Sequence, residues 1–290
     1  PNVLLSGFYS SVLRDASLVA DSSDQYISNS LVSSGLHRNT GELEGRKQLL
    51  EKSWGTVLSV QFNRLESGMI IHHINFDKPV IKRPTAYNQF SFQGKDNTNA
   101  GVYLNYSINN FTFFSEAARS VSGGMALVAG TMASLHPSFD IALLYRKYDR
   151  NFYSFYANAF SENTLPQNET AFYWGWKYRW NRKYGMSGYV DQFKFPWLGF
   201  RRYAPAHGYE WLLRFNYQPN RKTMMFVQAR EESKPRNRSE ENALYHVLQG
   251  KKRNFWLAAH YGIGEYLKFK SRIQYSTFSM NNHTSEGVAL

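Results

Sequence analysis

The chain has 290 residues, no cysteine, 42% hydrophobic and 17% aromatic residues, and a formal net charge of +12. This composition excludes a disulfide scaffold and a disordered tail, and no run approaches the roughly 18 apolar residues of a membrane helix. A mean hydropathy of -0.51 fits a soluble protein and equally a membrane β-barrel, whose strands need apolar residues only at alternate positions.

The opening "PNVLLSGFYSS" has no initiating Met, basic region or apolar leader, so the chain is expected to be a trimmed product or an incomplete segment. A first strand is expected near 5–13. Next comes "NTGELEGRKQLLEK", where Asn39 or Thr40 can cap a helix, acidic residues fill the first turn and basic ones follow. That pattern predicts one short helix over 40–52, a plug or rim element. From about residue 54 to 278 the period is 2. Trp54, Leu58, Val60 and Phe62 oppose Ser59 and Gln61, and Val102, Leu104, Tyr106 and Ile108 oppose Asn105 and Ser107. Phe139, Ile141, Leu143 and Tyr145 oppose Asp140 and Arg146. Phe172, Trp174, Trp176, Tyr178 and Trp180 share one side of "AFYWGWKYRW", with Lys177 and Arg179 on the other. Tyr209, Trp211, Leu213, Phe215 and Tyr217 oppose Glu210 and Arg214, and Leu267, Phe269, Ile273 and Tyr275 oppose Lys268, Lys270 and Arg272. Less regular strands are expected near 68–76, 111–119, 124–134, 152–160, 184–194, 223–232 and 254–262. The total is a dozen strands or slightly more.

Tight connections, "NN" at 109–110 and "GIGEY" at 262–266, alternate with long polar ones at 77–89, 161–169, 195–208 and 234–254. Short turns on one side and long loops on the other suit a membrane barrel. A soluble sandwich also alternates, but it buries mostly Val, Ile and Leu on strands of about 5 to 6 residues. Here the apolar face is aromatic, often at strand ends, as an interfacial girdle requires. The girdle residues are Trp54, Phe172, Trp174, Trp176, Trp180, Tyr209, Trp211 and Tyr217. The fold class is therefore all-β, an antiparallel transmembrane β-barrel of outer-membrane type spanning 1–290.

Several segments carry a resemblance: "SSGLHRNTGELEGRK" (33–47), "EAARSVSGGMALVAG" (116–130), the stretch 143–175, "YVDQFKFPWLGFRRYAPAHGYEWL" (189–212) and "FVQAREESKPRN" (226–237). They resemble the barrel portion of the helix-hairpin-helix domain-containing outer-membrane proteins of Bacteroidota. The most specific runs are Gly35-Leu36-His37-Arg38 and the one holding Asp191, Phe193, Phe195, Pro196 and Trp197. The resemblance implies an outer-membrane location, a helix-hairpin-helix region N-terminal to the barrel and further strands beyond it.

The chemistry is sparse. His72 and His73 are adjacent on a strand, so their rings point to opposite faces and no metal is expected. No nucleotide loop, zinc spacing or nucleophile elbow occurs, and no cofactor is expected. Glu116, Glu162, Glu169, Asp191 and Glu210 lie on or beside strands; inward carboxylates next to Arg and Lys are expected as ion pairs rather than as an acid and base. Charges on a lipid face cost about 2 to 4 kcal/mol at midplane, so Arg146, Lys177, Arg179, Arg214, Arg230, Lys268, Lys270 and Arg272 belong to a wet interior. Two readings of them stay open: an anion path, or a closed lumen crosslinked through Asp191, Glu210 and Glu232. Arg201, Arg202, Lys234, Arg236, Arg238, Lys251, Lys252 and Arg253 are basic loop candidates for lipopolysaccharide phosphates or nucleic acid. The expected function is non-enzymatic, passage of anionic solutes or a scaffold among other outer-membrane proteins. Nucleic-acid uptake and a barrel enzyme acting on lipid or glycan are the alternatives.

Overall fold

A computed structural model describes residues 2–20, 26–32, 34–237, 246–263, 267–281 and 283–290. The strands are β1 (Asn2–Ala20), β2 (Tyr26–Val32), β3 (Leu49–Phe62), β4 (Leu65–Ile81), β5 (Gln93–Ile108), β6 (Phe111–Ser120), β7 (Met125–His136) and β8 (Phe139–Tyr148). They continue with β9 (Glu169–Arg179), β10 (Tyr184–Phe195), β11 (Ala206–Asn220), β12 (Thr223–Asn237), β13 (Val247–Ile263), β14 (Leu267–Met280) and β15 (His283–Ala289). All fifteen hydrogen-bond into one sheet, in sequence order from β15 back to β4, then β2, β1 and β3, with β3 also paired to β4. The expected all-β class holds. Two-residue connections at 63–64 and 109–110 put Asn63 and Asn109 at positive φ, where asparagine is among the few residues that enter the left-handed region at low cost.

Three expectations need correction. The helix is only α1 (Thr40–Glu44), capped by the Asn39 side chain accepting from the Glu42 amide. It buries no residue, and so short a helix has no packing to extend it; from Leu49 the period-2 face of β3 takes over. Residues 152–160 are not a strand: they belong to an irregular segment, 149–168, between β8 and β9. Its backbone bonds run to turns and side chains instead of a ladder, as where the Phe152 amide donates to the Asp149 carbonyl and the Tyr153 amide to Ser120 Oγ at 2.8 Å. The expected loop 234–254 is largely strand, since β12 runs to Asn237 and β13 starts at Val247. Residues 238–245, with Arg238, lie outside the described residues, as do 264–266 of the expected 262–266 turn. The strand count agrees with the expected dozen or slightly more, with β2 and β15, which have no clear alternation, added to those read from the sequence.

The chain forms two compact units. The first comprises Pro1–Tyr106, Phe114–Val128 and Lys147–Glu169. In it β1 pairs with β3 from Asn2↔Gln61 to Arg14↔Leu49, and β3 alternates, with Leu49, Glu51, Ser53 and Gly55 buried and Lys52 and Trp54 exposed. Its core is Ala16, Leu49, Ile74, Phe76, Val80 and Phe92. Phe155 of the 149–168 segment packs edge-on against Phe76 and Phe92, at ring distances of 5.4 and 5.1 Å.

The second unit comprises Ser107–Phe113, Ala129–Arg146 and Thr170–Leu290. Across β9 to β12 the register sets Trp174↔Val190↔Trp211 on one face and Tyr173↔Asp191↔Glu210↔Glu232 on the other, with a shift between Tyr217 and Asn220 of β11. The apolar face is exposed, with Phe172 at 48%, Trp174 at 46% and Trp180 at 51%.

Candidate functional site

The polar face of the second unit carries an ion-pair ladder. Arg146, fully buried, donates from both terminal nitrogens to the two Asp191 oxygens at 2.9 Å each. Register sets Asp191 opposite Glu210 and Glu210 opposite Glu232, and like charges so placed repel. Arg230 resolves the conflict. It donates to Glu210 at 3.0 and 2.6 Å and to Glu232 at 3.2 Å, while Lys234 approaches Glu232 at 3.4 Å. Tyr189 adds a hydroxyl donated to Glu210. The three acidic residues predicted as interior ion-pair partners are thus brought together, and Arg146 and Arg230 are taken up by them.

The other predicted cations are less engaged. Arg179 donates to the Pro137 carbonyl at 3.2 Å and lies 3.8 Å from Asp140. Arg214 donates to Asn216 Oδ1 at 2.8 Å and stacks over the Phe226 ring at 3.7 Å. Lys177, Lys268, Lys270 and Arg272 are exposed, and among the described residues no carboxylate lies within 4 Å of them. Lys268, Lys270 and Arg272 follow one another on the polar face of β14, opposite Gly262, His260 and Ala258 of β13. They form a carboxylate-free basic row.

The apolar face holds the predicted aromatics. Trp54, Phe172, Trp174 and Trp180 are exposed, whereas Trp176 and Trp211 are half-buried. Tyr217 stacks with Tyr184 at 5.0 Å. Tyr209 does more than line the face: it donates to Glu231 at 2.7 Å, which Arg253 also engages at 2.5 Å. Polar groups therefore begin at the Tyr209 end of this face. The basic residues predicted for loops are mostly held, Arg202 over Phe195 at 3.6 Å and Arg236 near Phe278 at 5.4 Å. Lys251 and Lys252 are exposed.

In the first unit the polar face carries a second constellation that the sequence does not suggest. Arg14 donates to Glu51 at 3.1 and 3.3 Å, and Tyr156 donates its hydroxyl to the same carboxylate. The phenol lies beside Arg14, with the guanidinium 5.3 Å from the ring centre. Burial first, and then the Glu51 carboxylate, push the Tyr156 phenol above its usual pKa. Segment 149–168 is tied down elsewhere too. Asn97 Nδ2 donates to the Tyr153 carbonyl at 3.0 Å, Tyr148 to the Phe160 carbonyl at 2.9 Å, and Glu169 accepts from the Glu162 amide at 2.9 Å. A segment so rich in Phe and Tyr reads as a strand, and its anchor Glu51 lies 105 residues away; no local signal links the two.

The motif runs are structural. Gly35 sits at positive φ, His37 meets Asp15 at 2.8 Å and Arg38 clamps Glu42 at 2.9 Å, and Phe193 and Phe195 are buried together. His72 and His73 occupy opposite faces: His73 stacks on Trp54 at 5.5 Å, and His72 faces Tyr156 at 6.5 Å. Among the described residues no group of three His, Asp or Glu side chains could hold a metal.

No family model and no curated protein matches the chain. Among solved structures it is similar to the crystal structure of Pseudomonas aeruginosa OccK3 (OpdO), at 14% identity over 86% of this chain and 68% of that one, with a TM-score of 0.43. It is also similar to that of Acinetobacter baumannii OccAB4, at 10% identity over 83% of this chain and 64% of that one, with a TM-score of 0.45. It thus spans less than two thirds of the OccAB4 chain.

Proposed function

We propose that this chain is barrel-forming sequence of a Gram-negative outer-membrane protein, non-enzymatic, through which small anions pass. The observation that carries the reading is the contrast between the two faces of the second unit. One exposes the large apolar side chains Phe172, Trp174, Trp180, Leu213, Phe215 and Leu257, a face suited to lipid. The other exposes Lys268, Lys270, Arg272 and Lys177 without carboxylate partners. In a water-filled interior, uncompensated Arg and Lys rows attract anions and repel cations. The family resemblance of the motif runs accords with this location, and we place the chain in that family's barrel portion as part of the proposal.

The Arg146-to-Lys234 ladder favours a second reading, a scaffold whose interior is closed by ion pairs. Current separates the two. The protein reconstituted in planar bilayers conducts on the first reading, with a reversal potential of anion-selective sign in a KCl gradient; on the second it carries no current.

A further inference from the structure

The first unit contains a pocket of about 720 Å3 between β1, β3, β4 and segment 149–168, within the size range of small-molecule sites. Its walls are largely apolar, with Val57, Ile70, Ala118, Val128 and Phe152 among them. The polar groups in this wall are lopsided. Arg14 and Glu51 neutralise each other, and Tyr156 spends its proton on Glu51. Beside the wall hydroxyls of Ser6, Ser10, Ser53, Thr56 and Ser154, which can donate or accept, two acceptors are left over. Asn99 Oδ1 is buried and receives no hydrogen bond, at a cost that a donor would remove. Glu116 lines the same pocket and is exposed; among the described residues no cation lies within 4 Å of it. One cation, Arg14, against two carboxylates, Glu51 and Glu116, leaves the pocket formally at about -1 with histidine neutral, inside a chain of net charge +12.

We propose that this pocket binds a small amphipathic amine in its ammonium form. An ammonium group brings three donors and no acceptor, the complement of the two leftover acceptors. The rings of Phe8 and Tyr156 flank His72 at 5.8 and 6.5 Å and add π-faces that attract a cation, while the aliphatic walls cover the ligand's apolar body. A carboxylate of the same shape would meet Glu116 and find only the outer edge of an Arg14 already engaged with Glu51. The site shares no residue with the basic row of β14, and it requires no passage of anions.

The test is isothermal titration of the detergent-solubilised protein, with empty micelles as the blank. The probes are phenethylamine, phenylpropionate and phenylethanol, which share a ring and differ in charge. Phenethylamine is expected to bind at least tenfold tighter than either isostere. Glu116→Gln, at an exposed position, is expected to weaken it about tenfold, or 1.4 kcal/mol, and Val57→Phe to abolish binding by filling the pocket. Should Val57→Phe fail to fold, Glu116→Gln decides alone. Equal or tighter binding of phenylpropionate, indifference of phenethylamine to Glu116→Gln, or no saturable heat with the amine would each overturn the proposal.

Discussion

Arg146 and Asp191, 45 residues apart, meet in a two-pronged ion pair at 2.9 Å that leaves Arg146 without solvent and Asp191 4% exposed. A buried guanidinium that loses its carboxylate keeps its desolvation cost without the charge that offsets most of it. Asp191→Ala is therefore expected to destabilise the fold by about 3–5 kcal/mol. Replacing both partners, Arg146→Met with Asp191→Leu, should recover most of that loss. Urea unfolding followed by tryptophan fluorescence checks both; a mild single variant would mean that Arg146 finds another acceptor.

The Tyr156–Glu51 bond holds segment 149–168 to β3. Tyr156→Phe leaves Glu51 with Arg14 alone and should loosen the segment by about 1–2 kcal/mol, read as faster amide exchange over 149–168. The pH dependence has a definite sign. The folded phenol is raised above its usual 10.0, so this contribution is whole below pH 10 and is lost only as pH rises toward the folded pKa. The phenolate absorbance difference between the protein and Tyr156→Phe should accordingly appear above pH 10; a phenol titrating at its ordinary value would contradict the account.

Gly124 fixes the same segment from the other side. A Cβ there would stand 2.4 Å from the backbone of Asn151 and Phe152, too close for any side chain. Gly124→Ala is expected to displace residues 151–152 and open 149–168 to limited proteolysis, while the β9–β14 strands keep their protection.

On the apolar face, Phe215, Val227, Leu257 and Ile273 form one cross-strand row. Leu257→Arg should cost about 2–4 kcal/mol for folding into lipid vesicles. Gln274→Lys, on the polar face of β14, should change it little. Equal effects of the two substitutions would mean that the faces are not sorted between lipid and water.

Much of this fold is legible in the sequence because a strand period of 2 survives wherever the two faces meet different media. Trp174 beside Lys177 and Phe215 beside Arg214 separate by parity alone, and the structure keeps each on its expected face. Legibility fails where tertiary context decides. Phe152, Tyr153, Phe155 and Tyr156 give 152–160 the aromatic content of a strand, yet the rings of Tyr153 and Phe155 and the Tyr156 hydroxyl are anchors for the segment. Leu50 sits at helical spacing from Leu43, yet ladder bonds to β1 claim it for β3. Among the interior charges, the residue types were readable but their partners were not. Strand register, fixed by the whole sheet, gives Asp191 to Arg146 and Glu210 to Arg230, and among the described residues it leaves Lys268, Lys270 and Arg272 free of carboxylates.

The central claim is that alternate residues of these strands meet lipid and water, and the absence of cysteine makes a direct measurement simple. Single cysteines are placed along β13 at 255, 257, 259 and 261, and at the half-buried positions 256 and 260, in protein folded into vesicles. Each is then labelled with a membrane-impermeant maleimide and, separately, quenched by brominated lipid through an attached fluorophore. The account predicts that the odd positions are quenched by lipid and shielded from the aqueous reagent, and that 256 and 260 behave in reverse. Uniform aqueous labelling of both sets, with no lipid quenching at 255 or 257, would contradict it.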